Sequence, residues 1–130
     1  MTLADFLLAR IAEDEAAARS AHPSPWKHSP WHPGRFACIE APASMHGGNR
    51  VVILSKDPDS VMSVPHILRW EPARVLAECE AKRRIVEIHQ IGNDPCDEHD
   101  ASMRSIPCET LQLLALPYAD HRDYQQEWRQ

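Results

Sequence analysis

Apolar positions recur at a helical interval over the first twenty residues. Leu3, Leu7 and Ile11 follow i, i+4 spacing, and Phe6 lies beside them. Glu13, Asp14 and Glu15 fill the second half, as a solvated acidic face does. The pattern predicts an amphipathic packing helix within residues 1–21. Residues 22–34, "HPSPWKHSPWHPG", break the period. Their prolines delete amide donors and restrict the residues before them. A strand-like wrap that lays Trp26 and Trp31 on the core suits this composition. His22, His28 and His32 also sit here, without a cysteine or a regular element to organise them as ligands.

Residues 35–70 read as a β region. "RFACIEA" at 35–41 and "RVVILSK" at 50–56 are rich in β-formers, and Gly47, Gly48 and Asn49 lie between them. They predict an antiparallel hairpin with a longish loop. Cys38 reads as a small buried hydrophobe inside the first strand. "SVMSVPHIL" predicts a third, short extended piece.

A second helical period covers 71–89, "EPARVLAECEAKRRIVEIH". Pro72 stands at the favoured first position. Val75, Cys79 and Val86 share one arc, flanked by Leu76 and Ile85. Lys82, Arg83 and Arg84 suit the negative end of the helix dipole. They also leave open a basic binding face. Gly92 ends the pattern. A short apolar helix follows Cys108, marked by Leu111, Leu113, Leu114 and Leu116, and Pro117 stops it. The tail predicts a last turn or two that docks Tyr118, Tyr124 and Trp128. The expected architecture is one α+β domain over 1–130: N-terminal helix, β-hairpin, long central helix, zinc-knuckle loop and short C-terminal helices.

Composition narrows the classes. At 130 residues the chain can bury a core without disulfides. Its 43% hydrophobic content excludes global disorder, while eleven prolines and two phenylalanines imply irregular segments and a modest core. The net charge of −5 argues against non-specific nucleic-acid binding. No apolar run reaches the roughly 20 residues a membrane span needs, and the N-terminus lacks a basic leader. A cytoplasmic protein with reduced thiols is the expectation.

The stretch "HQIGNDPCDEHDASMRSIPC" at 89–108 carries the candidate chemistry. Structural zinc takes four nitrogen or sulfur ligands in a tetrahedron, often with one pair two residues apart. Cys96 and His99 give that pair. His89 supplies the third ligand from a helix end, and Cys108 the fourth from a helix start, where the dipole favours a thiolate. Two cysteines favour zinc over a harder ion, although Asp94, Asp97, Glu98 and Asp100 offer oxygen. Taken singly, each residue has a blander role as cap, core or solvated acid. No phosphate-binding glycine loop, nucleophile elbow or HExxH helix is present.

"EPARVLAECEAKRRIVEIH" and "PCETLQLLALPYADHRDYQQEW" resemble a family of small actinobacterial and actinophage proteins that carry a domain of unknown function. In that family a D-P-A-R-V-L-x-E-x-x-A-K-R-x-I helix ends in histidine. A Cys-bearing loop follows, then P-C-x-T-L-x-x-L-A-x-x-Y-x-D-H-P-D-Y. This chain has Glu71 for the usual Asp, His99 for a second loop cysteine and Arg122 for the usual Pro. The resemblance covers most of the chain. It implies the helix–loop–helix plan and the positions of His89, Cys96 and Cys108, and it brings no activity.

Three functions follow. The first is a non-enzymatic, zinc-stabilised interaction or regulatory module with a protein partner, touching it through 22–34 or the basic triplet. Nucleic acid is the less favoured partner, because the acidic loop repels phosphate. The second is a small metal-dependent hydrolase or nuclease, with Glu98 or Asp100 as base and His121 as a further catalytic candidate. The third is a metal-free α+β domain.

Overall fold

The computed structural model describes residues 1–30, 33–42, 48, 50–90 and 108–129. Trp31, His32, Gly47, Asn49, Gly92, Cys96, His99 and the loop acids therefore lie outside the described residues. Two compact units are present, one formed by Met1–Asp14 and Glu78–Gln130, the other by Glu15–Ala77. No described helix is long and apolar enough to cross a membrane.

The first unit is helical. Helix α1 runs Leu3–Ser20. Thr2 caps it: its hydroxyl accepts the Asp5 amide at 3.1 Å, while Asp5 Oδ2 accepts the Thr2 amide at 3.0 Å. This reciprocal pair satisfies donors that a helix start otherwise leaves open. Leu3, Phe6, Leu7 and Ile11 are all buried. Helix α3, Pro72–His89, crosses from the second unit into the first. Its Cys79 and Val86 are buried, as their shared arc predicts. Helix α4, Glu109–Ala115, starts after Cys108 and buries Leu111 and Ala115. Leu113 and Leu116 are exposed. Short 3-10 turns follow at Leu116–Tyr118 and Gln126–Trp128. The expected docking of the tail is seen: Tyr124 and Trp128 are buried against Phe6, at ring-centroid distances of 5.9 and 5.0 Å.

The second unit holds a sheet of order β1-β2-β3, with β1 Lys27–His28, β2 Ala37–Ala41 and β3 Arg50–Ser55. The expected two-stranded hairpin is thus corrected to three antiparallel strands. Lys27 and His28 pair with Glu40 and Ile39, and two exposed polar residues give no apolar alternation from which to read a strand. The register of β2 and β3 shifts between Ile39 and Glu40, leaving Val52 as an extra residue on β3. Gly48 has φ +84°, a left-handed conformation that glycine adopts at least cost.

The third extended piece is also corrected. Residues Pro58–Ser63 form a 3-10 helix and Val64–Arg69 form helix α2. Asp57 caps the first by accepting the Asp59 amide at 3.0 Å. Pro58 and Pro65 both stand in first turns, where a missing N–H costs least. Ala37, Ile39 and Val64 form this unit's core, and Trp26, Val52, Ile53, Ile67 and Leu68 pack on it. The proline-rich segment is tied to the start of α3. Its Trp26 amide donates to Glu71 Oε2 at 2.6 Å, and Ser24 Oγ accepts the Ala73 amide at 3.0 Å. Ser24 thus caps α3 from a distance.

Candidate functional site

Of the four expected zinc ligands, two fall among the described residues and the structure brings them together. Cys108 Sγ lies 3.4 Å from His89 Nδ1. Cys108 is fully buried and precedes α4; His89 ends α3 and is partly buried. Cys96 and His99 lie outside the described residues. Among the described residues no group of three or more His, Cys, Asp or Glu is placed to hold a metal ion. A structural zinc site needs four protein ligands and a catalytic one three. Two donors in mutual contact satisfy neither. The zinc-knuckle loop, the zinc cofactor and the zinc-binding function are therefore corrected, and a metal-free α+β domain fits the described residues better. His89 and Cys108 instead form a polar contact between a helix end and a helix start.

The more elaborate constellation surrounds Phe6 and went unread in the sequence. Arg10 is 8% exposed. Its Nη2 donates to Glu13 Oε1 at 2.6 Å, and its Nη1 lies 2.8 Å from His121 Nδ1. The Asp123 amide also donates to His121 Nδ1, at 3.1 Å. Arg10 stands over the Phe6 ring, 5.3 Å from its centroid. Tyr118 donates its hydroxyl to Asp14 Oδ2 at 2.7 Å. Burial, and then the Asp14 hydrogen bond and charge, raise the Tyr118 pKa well above the usual phenol range. A signal for this cluster was present. Arg10 and Asp14 fall on the same stripe as Leu3, Leu7 and Ile11, so an acid and a base were already placed on the apolar face. Their partners, 111 and 104 residues away, left no local trace.

Chemically this is a set of partnered groups rather than an activated one. His121, the further catalytic candidate, meets Arg10, the Asp123 amide and the edge of Phe6. Its partners among the described residues include no hydroxyl or thiol that it would activate. The basic triplet is engaged as well. Lys82 lies over the Tyr118 ring at 5.7 Å, Arg84 bonds Glu80 at 2.7 Å, and Arg83 also has a partner.

A surface of another kind lies on the sheet. Ala37, Ile39 and Ile53 face the unit's core, so alternation puts Cys38, Glu40, Val51 and Leu54 on the opposite face. Cys38 is buried there, and burial followed by the Glu40 carboxylate pushes its thiol pKa up. Val51 is 45% and Leu54 43% exposed. Phe36, just before β2, is exposed too. Among the described residues β3 has β2 as its one neighbour, so it stands at the edge of the described sheet.

None of the curated proteins and none of the solved structures matches the chain. A family match does exist, to DUF6221, a family of unknown function, and it runs over residues 1–130. The match takes in both units, the Arg10–His121 cluster and the sheet edge alike, and the chain belongs to that family.

Proposed function

We propose that the chain is a metal-free α+β domain without catalytic activity that docks a protein partner through its sheet. One observation carries this reading: Val51 and Leu54 are exposed on β3, the edge strand among the described residues, on the face turned away from the core. An exposed edge strand with apolar side chains is a liability unless something covers it. The polar residues that would suit catalysis are engaged with one another instead. Nucleic acid is disfavoured by the net charge of −5. Buried, reduced Cys38, Cys79 and Cys108 support action in the cytoplasm. The motifs of α3 and the C-terminal segment support an actinobacterial or actinophage origin.

The test is site-specific photo-cross-linking in the cells the chain comes from. A photoreactive residue replacing Leu54 should give a discrete protein adduct that Val51→Asp abolishes. A control at Glu87, exposed on α3, should give none. No adduct at position 54, or equal adducts at both positions, would overturn the proposal.

A further inference from the structure

The sheet edge has a charge pattern that specifies what it accepts. Residues 15–77 carry seven Lys and Arg against five Asp and Glu, a net +2, whereas the rest of the chain carries seven against fourteen, a net −7. The cations bracket the edge strand. Arg50 opens β3 and Lys56 follows it, both exposed, whereas Lys27 lies on β1 at the other side of the sheet, opposite Glu40. Between the cations lie Val51, Val52, Ile53 and Leu54. Asp57 and Asp59 lie just beyond Lys56, but Asp57 is engaged as the cap of the 3-10 helix.

We infer that the outer edge of β3 receives an extended, acidic and apolar segment of a partner protein as a fourth strand. This rests on the reading of the chain as a protein-interaction domain, and it names the partner's chemistry. Backbone groups on the side of β3 that no described strand pairs with supply the pairing, as in other strand additions. Alternate side chains of the incoming strand meet Val51 and Leu54 on the face away from the core. A carboxylate near its end meets Lys56, which fixes its direction. A second copy of this chain fits worse. Antiparallel self-pairing centred on Ile53 sets Arg50 of one copy against Lys56 of the other, and like charges directly opposite are unfavourable.

The experiment uses the full chain, isotope-labelled for amide NMR, with a fluorescent decapeptide of alternating glutamate and valine as probe. The same peptide with lysine for glutamate is the control. Binding of the acidic peptide should be saturable and at least tenfold tighter than that of the lysine peptide. The amide shifts should centre on residues 50–55, and Lys56→Glu should weaken binding about tenfold while leaving the remaining spectrum unchanged. Shifts centred elsewhere, equal affinity for both peptides, no binding, or self-association through β3 would each overturn the inference. If position 54 cross-links a protein while the acidic peptide leaves β3 unshifted, strand addition falls and the interaction reading stands. If position 54 cross-links nothing, the interaction reading itself falls.

Discussion

The Tyr118 hydroxyl donates to the Asp14 carboxylate at 2.7 Å and joins positions 104 residues apart. Burial is the first cause of its raised pKa, and the Asp14 contact the next. The folded state therefore holds this proton more tightly than the unfolded chain does. That contribution is complete below the unfolded phenol value, near 10, and is lost as pH rises above it. We expect stability to fall above about pH 10. Tyr118→Phe should flatten that limb and cost about 1–2 kcal/mol at neutral pH. Denaturant melts from neutral to strongly alkaline pH check this; parallel limbs for the two proteins would refute it.

Arg10 is nearly buried and is held by Glu13, His121 and the face of Phe6. Arg10→Ala removes a nearly buried side chain with its packing and hydrogen bonds and should cost about 2 kcal/mol. Arg10→Lys should recover less than half of that, since one ammonium cannot reproduce the planar fork. A double-mutant cycle with His121→Ala should show a coupling of about 1 kcal/mol or more. Additive losses would mean that the two side chains stabilise the fold independently.

The contact of His89 with Cys108 makes a separate case, because it bears on metal dependence. With no described set of three donors, exhaustive dialysis against a chelator should leave the melting temperature unchanged. Cys108→Ala should cost about 1 kcal/mol by loss of packing, with no added sensitivity to chelator. A chelator-induced fall of several degrees in the native protein would restore the case for an ion.

Cys38, Cys79 and Cys108 are buried, and the Cys38 thiol pKa is raised by burial and by Glu40. A thiolate is the reacting species in alkylation. On a Cys96→Ser background, iodoacetamide at pH 8 should label the folded chain far more slowly than the chain in guanidinium, where all three should react. Rapid labelling of Cys38 in the folded protein would contradict its placement.

Helical periodicity told the truth where one stripe met one core. Leu3, Leu7 and Ile11 on α1, and Cys79 and Val86 on α3, are buried as their spacing requires. Strands were legible where β-formers cluster, as in the Val51–Val52–Ile53 run of β3. They were illegible at Lys27–His28, whose contribution to the sheet is backbone pairing. Residues 60–68 misled because Val61, Val64 and Ile67 are β-formers by type, although their spacing of three is helical and Asp57, Pro58 and Pro65 are helix-start chemistry. The zinc reading relied on closeness along the chain, which brings His89 and Cys108 together but places no third donor with them among the described residues. The Arg10 cluster is the reverse case, distant along the chain and convergent in space.

That distance sets a clock. Arg10 and His121 are 111 residues apart. At a synthesis rate of about 5–20 residues per second, Arg10 leaves the ribosome on the order of ten seconds before His121 exists. Through that interval Phe6 lacks Tyr124 and Trp128, the rings that cover it in the finished fold. The N-terminal helix must therefore wait for its cover, and a nascent chain halted before Tyr118 should present that apolar face to chaperones.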